Sequence, residues 1–449
     1  MTVIESFAEW AAHCSAPQMY PAAKRCLLDT MGGMVAGGIE APATLLAAAL
    51  PGMGPARLIP EGSRDARTAA LINGAAAHTV EVDDIYSPGL YHPGVCVIPA
   101  ALAMAEAGNA SGATLLEGII AGYEVSNRIA RAVNPAHYEH WHTTATVGHF
   151  GAAAAACRVA GLDAVQTAHA LASVATMAAG LRHAFSSDAM TKPIHAGRAA
   201  EAGVLAALGA RAGVTGVLDM LEGTRGFGVA MSDSPDWHGV ADSLGTESTI
   251  ARMTVKAHAC CGHNFATLDG VRALMADRGL VASDIQSIHA RVYRATAEIC
   301  GNSTPRTAAE ARFSLPYCAA VMARHGAIVP ADFDAAALAD AETRALAARV
   351  TIVIDPVHEL AFPGLRPATT EITTHDGRVF THTQPTRKGD PDAPLSETEI
   401  AAKFHALAEP VIGATASRAL AEAIGAIDHL RDIAALPLGE TPRKAQAGG

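Results

Sequence analysis

The chain has 449 residues, of which half are apolar and 17% are charged, and its formal net charge is −11. This composition indicates a large buried interior, and a length above roughly 300 residues favours two domains. The acidic charge is spread without a basic block, which argues against nucleic acid or an anionic membrane as the main partner. An acidic ligand would therefore need a local cationic pocket.

The cysteines and the first residues indicate where the protein works. Eight cysteines are scattered, and only Cys260 and Cys261 adjoin, so no disulfide framework is predicted. Residues 1–10 carry Glu5 and Glu9 and lack the basic and apolar regions of a signal peptide. No apolar run reaches the roughly 20 residues that span a bilayer. We expect a cytoplasmic protein without a transmembrane segment.

From the start to about Ile250, the apolar stretches have helical length and spacing, and alanine dominates them. Residues 100–107, 164–179 and 197–210 illustrate this pattern. Because side chains this small allow close helix contacts, the pattern predicts a tightly packed all-α region.

The first polar motif, residues 78–94, contains His78, Glu81, Asp83, Asp84 and His92. On a helix, Glu81 would lie three residues from both His78 and Asp84, whereas the prolines and glycines that follow predict a loop. The motif fits an acid/base site. The alternative is a helix end with solvated carboxylates.

The second motif, residues 141–151, contains His142, Thr143 and Gly151 and runs directly into alanines. Its hydroxyl groups and glycines suit a helix start whose free N–H groups can hold an anion. The alternative is an ordinary N-cap with tight helix packing at Gly151.

The third motif, residues 190–198, precedes another alanine-rich stretch and carries Lys192 and Arg198. These cations could bind a carboxylate, which arginine can hold through two parallel hydrogen bonds. The alternative is a surface lysine and arginine beside a loop.

The fourth motif, residues 256–264, contains Lys256, His258, Cys260, Cys261 and His263. Adjacent cysteine and histidine invite a zinc interpretation, but the spacing and the second ligand pair typical of zinc sites are missing. We predict no metal. The sequence also lacks GxGxxG after a strand, GxxxxGK[ST], HExxH and GxSxG, so nicotinamide, ATP, zinc-protease and serine-hydrolase functions lose support.

Beyond about Cys260 the periodicity changes to two. Ile288, Ala290 and Val292 alternate with His289, Arg291 and Tyr293 and predict a half-buried strand. A second strand is predicted at Val350–Ile354, and a hairpin joins residues 371–374 to 379–383 through Asp376 and Gly377. Helices are expected at residues 316–323 and 335–348.

The chain then returns to helical composition. Residues 385–394 are dense in proline, glycine and charge and predict a linker, after which helices are expected at residues 397–407, beginning at Ser396, and 418–427. We therefore predict a mainly α fold. An all-α domain of residues 1–258 and 390–449 would carry an inserted α+β domain of residues 259–389.

Taken in order, these four motifs resemble the MmgE/PrpD family, as do Phe313-Ser-Leu-Pro-Tyr317 and the segment from Gly389 to Ser396. The resemblance covers almost the whole chain. It implies a large all-α domain built from both chain ends, a smaller α+β lid and a homodimer. It also implies enzymes that use no metal or organic cofactor and act on di- or tricarboxylic acids, among them dehydratases, decarboxylases and epimerases.

The resemblance also assigns roles to particular residues. It implies that Glu81, His92, His142 and Lys192 are catalytic. It also places Lys256 and Tyr317 at the substrate. From the motifs themselves we add the following residues as predicted substrate contacts: Thr143, Asp84, His258, Cys261 and His263. Ile85 stands where the decarboxylase-like pattern has threonine, Cys261 stands where it has histidine, and Glu81 is one methylene longer than the usual aspartate.

We therefore expect a lyase, of the dehydratase type, that removes a proton next to a carboxylate of a small polycarboxylic acid. Lysines and helix amides would stabilise the negative charge, and a histidine would move the proton near neutral pH. The alternatives are an epimerase like that of iminodisuccinate, and a decarboxylase of a cis-aconitate-like acid. An inactive binding protein and a metal-dependent hydrolase are the rivals from other classes.

Overall fold

The computed structural model describes residues 1–185, 187, 189–362 and 364–438, so the end of the predicted C-terminal segment lies outside the described residues. The fold is mainly helical, which confirms the predicted class. The helices are α1 Val3–Ala12, α2 Tyr20–Gly37, α3 Ala43–Ala49, α4 Ala66–Thr79, α5 Gly94–Ala107, α6 Gly112–Val133, α7 Thr143–Thr146, α8 Gly148–Val159, α9 Ala164–Ala175, α10 Thr191–Arg211, α11 Phe227–Met231, α12 Phe265–Arg278, α13 Arg294–Cys300, α14 Ala308–Arg312, α15 Leu315–His325, α16 Ala335–Ala339, α17 Ala341–Ala347, α18 Pro356–Ala361, α19 Glu397–Ile412 and α20 Ala414–Gly425.

The remaining regular elements are short. The strands are β1 Ala56–Arg57, β2 Ser63–Arg64, β3 Ile285–Val292, β4 Val350–Ile354, β5 Ala368–Thr374 and β6 Val379–Gln384. Short 3-10 helices lie at Pro17–Met19, Ser87–Gly89, Ala136–Glu139, Arg182–Phe185, Ile250–Arg252, Ala282–Asp284, Pro330–Phe333, Ile427–His429 and Ile433–Ala435. No helix among the described residues is long and apolar enough to cross a membrane.

The chain divides into two compact units. The first, called the helical unit, comprises Met1–Thr79, Asp83–Thr254 and the described part of Ser396–Gly449. The second, called the mixed unit, comprises Val255–Leu395 together with the three residues Val80–Val82. The polar motif of residues 78–94 is therefore shared between the two units.

Small residues let the central helices of the helical unit lie close together. A Cβ added at Gly197 of α10 would lie 2.1 Å from the carbonyl oxygen of Leu71 in α4. A Cβ at Gly203 would lie 2.4 Å from the Cβ of Ala152 in α8. These distances leave no room for a side chain, so the alanine and glycine content determines how closely the helices approach.

Several predicted elements differ from the structure in their bounds. Helix α9 ends at Ala175, earlier than predicted, whereas α10 begins at Thr191, before the predicted start at residue 197. The helix starting at Ser396 is confirmed by a capping box with Glu399, but it continues to Ile412. The antiparallel pair β1 and β2 was not predicted, because strands of two residues carry no periodicity.

A four-stranded sheet of order β4-β3-β5-β6 forms the centre of the mixed unit. Strand β3 pairs parallel with β4 and antiparallel with β5, and β5 pairs antiparallel with β6. The predicted hairpin is confirmed: Gly377 adopts a φ of +83° in the turn, a conformation that glycine accepts without strain. Ile288, Ala290 and Val292 are all buried, as their alternation predicts.

Two predictions for the mixed unit were wrong. The single helix expected at residues 335–348 is interrupted at Asp340, whose side chain accepts from the backbone N–H of Thr343 and caps α17. Tyr293, expected on the polar face of β3, is buried just after the strand ends. In both cases a local polar contact or a tertiary contact overrides the periodic pattern.

Candidate active site

Asp83 connects two histidines in the helical unit. Its Oδ2 accepts a hydrogen bond from Nδ1 of His78 at 2.9 Å and lies 2.8 Å from Nδ1 of His92. Nδ1 of His92 also hydrogen-bonds to the backbone oxygen of Asp84 at 2.8 Å. Because oxygen acceptors surround Nδ1 of each ring, both rings carry their proton there, and Nε2 is the nitrogen of His92 that can exchange a proton.

Two further histidines extend this group. The ring of His142 stacks on that of His78, with centroids 5.5 Å apart and planes inclined by 17°. Nδ1 of His142 lies 3.1 Å from Nδ1 of His195, and Phe185 contacts the His142 ring edge-on at 4.8 Å. We call Asp83, His78, His92, His142 and His195 the histidine cluster.

Packing of α4 on α10 brings the cluster together. His78 is in the last turn of α4, and His195 is in the first turns of α10. A Cβ at Gly74 of α4 would lie 2.9 Å from the Cα of Gly197 in α10, so the two backbones meet where neither has a side chain. This close approach carries residues from distant parts of the sequence to one place.

A short backbone pairing positions His142 at the start of α7. Trp141 forms an isolated bridge with Leu181, and the N–H of His142 donates to the oxygen of Gly180 at 3.0 Å. Behind it, a Cβ at Gly151 would lie 2.7 Å from Oγ of Ser126, so the tight packing proposed for this motif is present.

Burial determines the charge state of two rings of the cluster, His142 and His195. It lowers the pKa of His142 well below its usual value, and the nearby charges of His78, Lys192, His195 and His92 lower it further. The pKa of His195 is lowered to about 4, again mainly by burial. Both rings are therefore neutral at pH 7.

Lys192 supplies positive charge beside these neutral rings. It lies in the first turn of α10, partly exposed, with Nζ 5.5 Å from the centre of the Phe185 ring. Its charge lowers the pKa of both His142 and His195, so it is close enough to interact with an anion bound at these rings. Arg198, by contrast, is exposed and pairs with Glu201.

Asp84 was predicted to contact the substrate, and this contact stays a prediction. Oδ2 of Asp84 accepts from the hydroxyl of Tyr123 at 2.7 Å, and Oδ1 accepts from the N–H of Gly94 at 3.1 Å. The residue is completely buried, and this burial raises its pKa to about 7. Asp84 stabilises the start of α5, because both of its oxygens accept hydrogen bonds from the protein.

Thr143 is also buried, at the first position of α7. Its Oγ1 accepts from the side-chain amide of Asn134 at 3.4 Å, while Oγ1 of Thr144 accepts from the backbone N–H of His92 at 3.2 Å. The hydroxyl groups of this motif therefore connect segments of the helical unit. The predicted contact of Thr143 with substrate stays a prediction.

Glu81 belongs to the mixed unit and lies outside any helix. Helix α4 ends at Thr79, and Glu81 adopts a left-handed φ of +57°. The helical spacing assumed for Glu81 was therefore wrong. Nζ of Lys256 lies 3.2 Å from both Oε2 and the backbone oxygen of Glu81, which forms a buried ion pair.

Cys261 lies in the same unit and accepts a hydrogen bond from a second free cysteine. The thiol of Cys300 and the N–H of His263 hydrogen-bond to Cys261 and lower its pKa, although burial opposes the shift. Burial raises the pKa of Cys300 well above its usual value, so Cys300 is the donor. Among the described residues, no group of three or more histidines, cysteines or carboxylates has the arrangement of a metal site.

The other residues predicted at the substrate are held by protein partners in the mixed unit. Nε2 of His258 lies 3.3 Å from Asp269, and Nδ1 of His263 lies 2.7 Å from the hydroxyl of Tyr293. The hydroxyl of Tyr317 donates to the backbone oxygen of Asp332 at 2.7 Å. Tyr317 is 2% exposed, and its predicted contact with substrate stays a prediction.

Sequence reasoning did not select three members of the histidine cluster as site residues: His78, Asp83 and His195. All three stand in the polar motifs of the sequence, two of them in residues 78–94 and one in residues 190–198. The available signal was the repeated association of histidine with a carboxylate. It did not identify which carboxylate contacts which histidine.

Comparison with known proteins gives a consistent result along the chain. The MmgE/PrpD N-terminal domain matches residues 5–240, and the MmgE/PrpD C-terminal domain matches residues 258–429. The chain is 29% identical over 383 residues to cis-aconitate decarboxylase of Homo sapiens, covering 82% of this chain and 78% of that protein. It is 26% identical over 402 residues to the cis-aconitate decarboxylase-like protein oryM of Aspergillus oryzae, covering 82% and 81%.

Proposed function

Because this chain belongs to the MmgE/PrpD family, we propose that it is a lyase acting on a small di- or tricarboxylic acid. The observation that carries the proposal is the contact of Asp83 with both His78 and His92. Such an arrangement provides a histidine base with a fixed tautomer, as proton transfer at carbon requires. The expectation that no cofactor takes part comes from the family resemblance.

In this proposal, Nε2 of His92 takes the proton from the carbon next to a substrate carboxylate. The side chain of His92 is 19% exposed, whereas that of His78 is completely buried, so His92 is the better placed to meet a ligand. The negative charge of Asp83 stabilises the imidazolium that forms. Lys192 binds the adjacent carboxylate and reduces the cost of negative charge on the carbon.

A dehydratase completes the reaction by losing a hydroxyl group from the neighbouring carbon. The C–H electron pair becomes the new C=C bond, the C–O bond breaks, and the oxygen leaves as water after taking a proton from the site. The departures at Ile85 and Cys261 from the decarboxylase-like pattern favour this outcome.

Decarboxylation is the second candidate, and the names of the relatives favour it. In that reaction the C–C bond to a carboxylate breaks, CO₂ leaves, and His92 in its protonated form delivers a proton to the carbanion. Both reactions use His92 for proton transfer, as a base in the first and as an acid in the second, and both use the same cationic group. The difference lies in which bond of the substrate is aligned for cleavage.

The test is proton NMR in D₂O with citrate, 2-methylcitrate, cis-aconitate, malate, tartrate and iminodisuccinate. An alkene product with water loss supports the dehydratase, and loss of CO₂ supports the decarboxylase. Inversion with deuterium at the carbon next to a carboxylate would show an epimerase and reject the lyase proposal. A folded protein that converts and binds none of these acids would also contradict it.

Variants connect the observed activity to the cluster. His92→Gln should lower turnover by about 10²-fold or more with an unchanged melting temperature, because the base is lost and the ring is partly exposed. His13→Gln is the matched control, since His13 is exposed at the end of α1. Equal activity of both variants would exclude His92 as the base.

A further inference from the structure

Two rings of the histidine cluster contact His142, those of His78 and His195. The ring of His195 is the less buried of the two. Its Nδ1 lies 3.1 Å from Nδ1 of His142, within hydrogen-bond distance. Two imidazole nitrogens at this distance attract each other only when one carries a proton and the other offers a lone pair. One proton therefore lies between the two rings.

We propose that His195 is a positioning residue for His142. His195 holds the shared proton through its hydrogen bond to His142, and it takes this proton up when Nε2 of His142 accepts a proton from a ligand. The inference rests on the proposed function and adds one residue to it: His142 is the group of the site that exchanges a proton with the departing oxygen, as His92 does with the carbon. The proton transfers run in the direction in which His142 accepts that proton from the oxygen, which is the reverse of water loss. It assigns to His195 a role that the sequence motifs did not.

The physical reason is the unequal burial of the two rings. His142 is 2% exposed and is enclosed by His78 and Phe185, so a positive charge on it would be poorly solvated. His195 is only partly buried and has access to water. Moving the shared proton outward lets His142 accept a proton without holding a lasting charge.

The proton balance closes in three transfers. Nε2 of His142 gains one proton from the ligand, and the bond from Nδ1 of His142 to the shared proton breaks as that proton binds Nδ1 of His195. His195 then releases the proton on its own Nε2 to water. The charge of Lys192 nearby disfavours a second lasting cation and promotes this release.

Two substitutions separate the hydrogen bond from the proton transfer. In His195→Asn, an amide replaces the part of the ring that carries Nδ1, so it can hydrogen-bond to His142 but cannot pass a proton. His195→Ala removes both functions. His13→Ala is the control, because His13 is exposed and distant in sequence.

The first readout is nitrogen-15 NMR of the labelled histidines, which reports tautomers without any substrate. The Nδ1 resonance of His142 should shift in His195→Ala, remain near its wild-type position in His195→Asn and remain unchanged in His13→Ala. A His142 resonance indifferent to His195→Ala would overturn the inference, even if the enzyme is active. This measurement also stands if no acid of the panel is turned over.

The second readout is turnover of whichever acid the protein converts. We expect both His195 variants to lower kcat by about 10²-fold with little change in KM, and imidazole added to His195→Ala to restore part of the rate. Wild-type kcat in His195→Asn would overturn the relay. A change confined to KM would do the same, because it would show binding in place of proton transfer.

Discussion

Oδ2 of Asp83 lies 2.8 Å from Nδ1 of His92. The same oxygen accepts a hydrogen bond from His78, so one buried carboxylate determines the tautomer of two rings. A carboxylate in this position orients the base and stabilises the cation that forms during proton transfer. The pairing supports Asp83 as a positioning residue for His92.

Asp83→Asn should therefore lower kcat by about 10²- to 10⁴-fold, because the amide removes the negative charge and can impose the wrong tautomer. Steady-state kinetics measure the effect, with circular dichroism to show that the variant is folded. Asp233→Asn, at an exposed position of the helical unit, should retain full activity. A kcat within a factor of two of wild type in the folded Asp83 variant would remove this role.

Asp84 should make the protein less stable as the pH rises. Its pKa is about 7 in the folded protein, against an ordinary value of 3.8, because of burial. The folded state therefore binds a proton that the unfolded chain has lost, and this contribution disappears as the pH rises through about 7. Between pH 5 and pH 7 the loss is about 2–3 kcal/mol.

The comparison variant is Asp84→Asn, which cannot titrate. The free energy of unfolding of both proteins is measured with urea at pH 5 and pH 7. From pH 5 to pH 7, the wild type should lose stability relative to Asp84→Asn. The buried histidines titrate in both proteins, so the comparison removes their contribution. That contribution makes the protein more stable as the pH rises, which is opposite to the effect of Asp84. A pH-independent difference would show that Asp84 is ionised at both pH values.

Gly94 is required by the packing around Asp84. A Cβ at this position would lie 2.5 Å from Oγ1 of Thr30 and 2.8 Å from both Oδ1 of Asp84 and the hydroxyl of Tyr123. Gly94→Ala should lower the free energy of unfolding by roughly 1–3 kcal/mol. Gly209 also lies in a helix, α10, but a Cβ there would have its nearest neighbour 3.6 Å away. Gly209→Ala should therefore raise the free energy of unfolding by about 0.4–1 kcal/mol. Equal effects of the two changes would refute the steric argument.

The ion pair of Lys256 with Glu81 should behave as a buried pair. Lys256→Met alone leaves a carboxylate uncompensated and should cost roughly 3–5 kcal/mol of stability, whereas adding Glu81→Gln should recover part of the loss. Urea unfolding of the wild type, Lys256→Met, Glu81→Gln and the double variant gives the coupling energy between the two residues. Arg294→Ala, which removes an exposed contact with Glu359, should change stability by less than about 1 kcal/mol. Additive effects at Lys256 and Glu81 would show that the two charges do not interact.

Cys261 should be the most readily alkylated cysteine of the chain. Hydrogen bonds from Cys300 and the His263 N–H lower its pKa, whereas burial raises the pKa of Cys14 to about 12. Reaction with iodoacetamide followed by peptide mass spectrometry should label Cys261 first, and Cys300→Ala should slow this reaction about tenfold, because a donor to the thiolate is lost. Preferential labelling of Cys14 would contradict the assignment.

Local sequence was sufficient for most of the longer helices and strands and for the family. Alanine-rich helical spacing predicted α5 and α10, the Asp376-Gly377 pair predicted the turn between β5 and β6, and Ser396 predicted the start of α19. These signals depend on interactions over a few residues, which the sequence displays directly. The family followed from the order of the polar motifs.

Tertiary structure alone decided how the polar residues of those motifs are used. Asp83 and Asp84 are neighbours in the sequence, yet one contacts histidines and the other is enclosed by Tyr123 and Gly94. His142 and His195 are 53 residues apart and meet because the start of α7 lies against α10. Which side chains meet depends on how distant helices pack, and periodicity along one segment carries no information about that packing.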